Sequence, residues 1–210
     1  MSRIQSPAEE KANAITHAAG FGVAAVGWII FIIESVQLKS WTHFIALSVF
    51  CVALMAQFLV STLYHGAKPG AHKHFLHIWD HALIYVLIAG SYSPFCLLAL
   101  KGTISWIVLA SIWSFALLGV LFKIRWTGRF GVLSTSLYLL MGWAVVLVYE
   151  PISKALPTYG MAWLVCGGIM YTIGVVFYAM EKMRFHHAIW HIFVLAGGIS
   201  HLLAAASVVS

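Results

Sequence analysis

"HFIALSVFCVALMAQFLVSTLYH", residues 43–65, runs for 23 residues without a Lys, Arg, Asp or Glu. As a helix it would rise about 35 Å, enough to cross the ~30 Å hydrocarbon core of a bilayer. It ends on Ser61 and His65, one helical turn apart. Reading it as a membrane span decides the fold, because the pattern recurs along the chain. Apolar runs fall at residues 15–36, 43–65, 77–99, 104–122, 130–150, 160–180 and 187–208. The connections between them are short, and Pro and Gly punctuate several of them.

Composition agrees. Of 210 residues, 62% are hydrophobic and only 9% charged, and the mean hydropathy is +0.94. Soluble domains carry about a quarter charged residues. The expectation is an all-α polytopic membrane protein, with residues 1–210 forming a single seven-helix transmembrane domain. A net charge of +6 would suggest nucleic acid in a soluble chain. Here the positive charges sit in short loops, where membrane orientation and anionic headgroups account for them. No nucleic-acid partner is expected. Cys51, Cys96 and Cys166 lie inside apolar runs, without disulfide or Cys-type zinc spacing. The polar start "MSRIQSPAEEKAN" does not have the pattern of a cleavable signal peptide.

Seven spans put the termini on opposite sides of the membrane. Arg3, Lys11, Lys68, Lys73, Lys123, Arg125, Arg129, Lys182 and Arg184 fall on one side, and Lys39, Lys101 and Lys154 on the other. Nine basic residues against three place the N-terminus in the cytoplasm and the C-terminus outside.

That topology brings ionisable residues from three spans to one depth. The second span ends at the inner face with His65. The third starts there with "HIWDHALI", holding His77, Asp80 and His81. The seventh starts there with "HHAIWHIF", holding His186, His187 and His191. Charged groups in hydrocarbon are costly and face the bundle interior or a partner. Asp80 is the only aspartate and the acid best placed inside a span, since Glu34, Glu150 and Glu181 lie at span ends and Glu9 and Glu10 in the N-terminal tail. Its plainer reading is a carboxylate capping the third span, paired with Lys73. His187 and His191 are four apart, so both rings lie on one helix face. One helix can supply two zinc ligands in this way. A third histidine from another helix, with a position left for water, makes a catalytic type of site. His65 is the natural third, and Ser61 lies one turn deeper on the same face. The plainer reading of the pair is histidines at the headgroup level. His17, near the inner face at the start of the first span, has the reach to join the site, but is expected to satisfy a helix end. His201, about two turns deeper than His191, is expected to bond another helix or to relay a proton. His43 falls on the outer side, and His72, His74 and His186 read as loop or interface residues. "GSYSP" at 90–94 is expected to kink the third span.

The set Ser61-x-x-x-His65, Asp80 and His187-x-x-x-His191 resembles the haemolysin III family, which belongs with the progestin and adipoQ receptors. "EEKANAITH", "STLYH", "IAGSYSP" and "HAIWH" match it as well. The resemblance covers nearly the whole chain. It implies seven helices, a cytoplasmic N-terminus and a zinc ion held by His65, His187 and His191. It also implies Ser61 and Asp80 beside the zinc-bound water. The short polar N-terminal region is unlike that of the eukaryotic receptors, so a hormone-receptor role does not carry over. The compact form resembles bacterial members, which implies a plasma (inner) membrane.

Three functions follow as expectations. The first is a zinc-dependent hydrolase of lipid amide or ester bonds, acting on a membrane lipid and releasing a fatty acid. The second is a pore-forming cytolysin, for which no span offers a repeated polar stripe. The third is a lipid or fatty-acid sensor with structural zinc, with Asp80 or His77 as fourth ligand. The orientation can be checked directly. In intact cells a membrane-impermeant thiol reagent is expected to label Lys154→Cys. It is expected to reach Lys68→Cys only after permeabilisation, and the reverse pattern would invert the topology.

Overall fold

The computed structural model describes residues 5–209, and those residues are helical almost throughout. The helices are α1 (Pro7–Gln37), α2 (Trp41–Gly66), α3 (Ala71–Pro94), α4 (Thr103–Trp126), α5 (Gly131–Trp143), α6 (Tyr149–Ala155), α7 (Thr158–Ala179) and α8 (His186–Ala206). A π turn, Phe95–Ala99, extends α3, and a 3-10 stretch, Ala144–Val148, joins α5 to α6. Among the described residues, seven helical segments are long and apolar enough to cross a membrane. The fifth combines α5, the 3-10 stretch and α6, and the seventh is α8. The chain is a seven-span helical bundle.

The first span starts at Pro7 rather than at residue 15, and the cause is local. Ser6 is the N-cap, its hydroxyl accepting from the Glu9 N–H at 3.4 Å. The Glu9 carboxylate returns to the Ser6 N–H at 2.9 Å, and Pro7 opens the first turn. This is a capping box. Glu9 and Glu10 therefore belong to a helix and not to a tail. The third span likewise begins at Ala71, six residues before the expected start. Asp80 consequently lies in the third turn of α3, too deep to cap it.

Helices α1 to α4 pack side by side in chain order, α5 touches α3 and α7, and α8 closes the bundle by returning against α1 and α7. Helices α2 and α3 form the centre, with Phe50, Leu54 and Phe58 fully buried. Outward faces keep large apolar side chains exposed, such as Val132 at 85% and Leu147 at 87%, as lipid contact requires. Lipid supplies no hydrophobic drive between helices, so small residues that permit close approach carry the packing. A Cβ on Gly90 would lie 2.7 Å from the Cβ of Ala53 on α2, and one on Gly119 would meet the Tyr85 ring at 2.5 Å.

Two interruptions keep their backbone groups satisfied, as the bilayer core demands. At "GSYSP", where a kink is expected, α3 widens after Pro94 into the π turn. The Leu100 N–H closes that turn on the Phe95 carbonyl at 2.8 Å, and the Ser105 hydroxyl donates to the Cys96 carbonyl. In the fifth span, the Tyr92 hydroxyl lies 3.0 and 2.9 Å from the Met141 and Gly142 carbonyls. The same oxygen accepts from the Val145 N–H at 2.8 Å. One side chain of α3 thus stitches the break in the fifth span.

Gly90→Ala is expected to destabilise the bundle by about 1–3 kcal/mol, read as a lower unfolding midpoint in detergent. Gly22→Ala, with nothing within 4 Å, is expected to be neutral or slightly stabilising. Equal behaviour of the two variants would contradict the close α2–α3 packing.

Candidate metal centre

His65 ends α2, while His187 and His191 lie one turn apart at the start of α8. They meet near the inner ends of their helices, with ring centroids 5.0 Å (His65–His187), 5.1 Å (His65–His191) and 4.6 Å (His187–His191) apart. One ligand atom from each lies within 4.8 Å of the others. Exposure is 5%, 9% and 0% respectively. The pair is therefore inside the bundle and not on its surface.

The hydrogen bonds assign the tautomers of two rings. His65 Nδ1 lies 2.6 Å from Glu10 Oε2. His191 Nδ1 lies 3.1 Å from the Asn13 carbonyl and 3.2 Å from Thr16 Oγ1. A carboxylate and a carbonyl only accept, so both Nδ1 atoms carry the proton and both Nε2 atoms present a lone pair. The Nε2 atoms of His65, His187 and His191 are all buried without a hydrogen-bond partner. A buried acceptor left bare costs about 1–3 kcal/mol, and three converging on one point match what a metal ion would satisfy. The donor set fits zinc, and a three-histidine set leaves a fourth position open. Neither Asp80 nor His77 joins the group.

Ser61 is fully buried one turn before His65. Its hydroxyl lies beside the Asp80 carboxyl but forms no hydrogen bond of normal geometry. Gln57 Nε2 reaches Asp80 from one turn deeper, at 3.1 Å from its carbonyl and 3.4 Å from Oδ1. The proposed pairing of Asp80 with Lys73 is not present. Lys73 Nζ binds Glu10 Oε1 at 2.8 Å, and the nearest basic side chain to Asp80 is His81, whose Nδ1 lies 3.8 Å from Oδ2.

Two histidine expectations need correction. His17 does not satisfy a helix end. It is 1% exposed, stacks on His191 at 3.5 Å with rings nearly parallel, and has no partner for either nitrogen. His186 is buried rather than interfacial, because the 180–185 turn folds its Nδ1 to within 3.3 Å of the Phe177 carbonyl. His77 stacks on Tyr64 instead of approaching the ligands. His201 packs edge-on against Tyr171, apart from the centre.

His17 lies at the site, the other of its two expected places, and Glu10, Asn13 and Gln57 are the site residues missed from the sequence. Each had a signal. Residues 10, 13 and 17 share a helix face once α1 starts at Pro7. Gln57, Ser61 and His65 repeat every fourth residue along α2. An apolar cavity of about 150 Å³ adjoins the site. His17, Gln57 and His81 border it at the inner end, and Leu100, Val148 and Ile152 at the outer end.

Comparison with known proteins gives the same answer as the residues. A family model described as "Haemolysin-III related" matches residues 5–202. The chain belongs to the haemolysin-III-related family. Its relatives include the hemolysin-3 homolog of Bacillus subtilis (strain 168), 43% identical over 90% of this chain and 89% of the relative. Hemolysin-3 of Bacillus cereus is 40% identical over 90% and 86%. The human monocyte to macrophage differentiation factor is 31% identical over 93% and 82%. The histidine centre described above thus sits in a multi-pass membrane protein of the haemolysin-III-related family.

Purified protein is expected to hold close to one metal ion per chain. His187→Ala/His191→Ala is expected to lose it, as measured by elemental analysis against protein concentration. Equal metal content in the two proteins would contradict the centre.

Proposed function

We propose that this protein is a zinc-dependent hydrolase of lipid amide or ester bonds, with its site near the cytoplasmic face of the plasma membrane. The observation that carries the reading is the convergence of three bare, buried Nε2 atoms. His65, His187 and His191 would hold the ion. Bound there, zinc would act as a Lewis acid on a substrate carbonyl and lower the pKa of a water to about 7.

The chain's own groups supply the rest. The Asp80 carboxylate takes a proton from water and returns it to the leaving group. Gln57 Nε2 fixes that carboxylate through its two contacts. The Ser61 hydroxyl, beside the Asp80 carboxyl, is placed to donate to a developing oxyanion. The walls of the adjoining cavity are almost wholly apolar, which suits an acyl chain and keeps bulk water from the site.

Two other readings have a specific observation behind them. The ligands join α2 to α8, which also suits a lipid or fatty-acid sensor fastened by structural metal. The name of the Bacillus cereus relative, Hemolysin-3, suggests cytolysis. An apolar cavity offers ions no replacement for their hydration shell, which argues against a pore through it.

The test is turnover of a lipid amide and a lipid ester by protein reconstituted in liposomes, following fatty-acid release. Asp80→Asn is expected to keep its metal and lose about 10²–10⁴-fold in kcat. Wild-type protein that binds metal but releases no product would favour the sensor. Dye leakage that persists in a variant lacking all three histidines would favour cytolysis.

A further inference from the structure

The carboxylate of Glu10 has a position that neither the family match nor the function proposed above requires. It comes from the first turn of α1, yet its two oxygens face two other helices. Oε2 lies 2.6 Å from His65 Nδ1 on α2, and Oε1 lies 2.8 Å from Lys73 Nζ on α3. The His65 side chain is 2% exposed, Lys73 18% and Glu10 26%. The Glu10–Lys73 pair is thus partly open to solvent, and exposed pairs of that kind add little stability. The His65 side of the contact is different. The other neighbour of His65 Nδ1 is Asn13 Nδ2, at 3.4 Å, and an amide nitrogen donates. Glu10 therefore gives the Nδ1–H of this buried ring its acceptor. Without it, nothing would hold the proton on Nδ1 rather than Nε2, and an Nε2 that carries a proton cannot bind a metal ion.

We propose that Glu10 is a positioning residue for the metal centre. Its carboxylate holds His65 in the tautomer and ring orientation that present Nε2, and Lys73 holds that carboxylate in place. The inference rests on the metal-centre reading and assigns it an outer-sphere residue. The same helix serves His191 through the Asn13 carbonyl and Thr16, so the first three turns of α1 orient two of the three ligands. Outer-sphere carboxylates of this kind commonly contribute about 10- to 100-fold in metal affinity.

The experiment measures Zn²⁺ affinity by chelator competition, and the visible absorption of the Co²⁺-substituted protein, on the full chain in detergent. Glu10→Gln, near-isosteric but uncharged, is expected to weaken metal binding by about 10- to 100-fold and to shift the Co²⁺ absorption. Glu10→Ala should weaken it at least as much, and Lys73→Met should weaken it less. Should Glu10→Ala fail to fold, Glu10→Gln still decides. A mere strut between helices would lower the unfolding midpoint of the metal-free variants and leave affinity and spectrum as in wild type, which would overturn the proposal. In that case wild-type metal would still be lost on His191→Ala, so the centre would stand without Glu10. Wild-type protein that binds no ion dependent on His191 would overturn the centre and this inference together.

Discussion

Three imidazole nitrogens, buried at one point and bonded to nothing in the chain, are the constraint around which the inner end of this bundle is arranged. In hydrocarbon an unsatisfied polar atom has no water to turn to. The fold does not hide these atoms from one another, as it would if they were incidental. It brings them together and occupies the opposite nitrogen of His65 and of His191 with oxygen acceptors. Both rings are thereby forced into the tautomer that presents a lone pair to the same place.

Several features of the bundle serve that arrangement. The capping box at Ser6 and Glu9 starts α1 early enough for Glu10, Asn13 and Thr16 to reach the ligands. A further Glu9 oxygen accepts from the Phe185 N–H at 2.9 Å, which ties the start of α8 to the start of α1. Gly90 lets α3 approach α2 closely, and Asp80 then faces Gln57 and lies beside Ser61. The Tyr92 hydroxyl closes the break in the fifth span while leaving an apolar cavity alongside. Helix ends, one glycine contact and one tyrosine thus place a polar cluster against an apolar chamber.

The seven spans were legible because lipid imposes a length and a polarity that few other contexts demand. The ligand histidines were legible for a geometric reason: His187 and His191 share a helix face, and counting spans brings His65 to their depth. The supporting residues were not read, because each depended on a helix boundary or on a partner. Glu10 reads as part of a tail unless the Ser6-Pro7-Ala8-Glu9 capping signal is taken as the start of α1. Lys73 can pair with Asp80 or Glu10, and only the fold, which brings the first turn of α1 to the first turn of α3, decides for Glu10. His17 gives no sign in sequence that it will stack on a ring 174 residues away. The interruption at Ala144–Val148 contains no proline, and its stitch comes from Tyr92, 53 residues before Val145.

The central claim is that His65, His187 and His191 form one metal centre. X-ray absorption at the zinc edge of protein purified without added metal tests it most directly. The account predicts a shell of nitrogen and oxygen donors at about 2.0–2.1 Å, with outer-shell scattering from three imidazole rings that falls to two in His65→Ala. A spectrum with sulfur ligands, or one unchanged by His65→Ala, would contradict it.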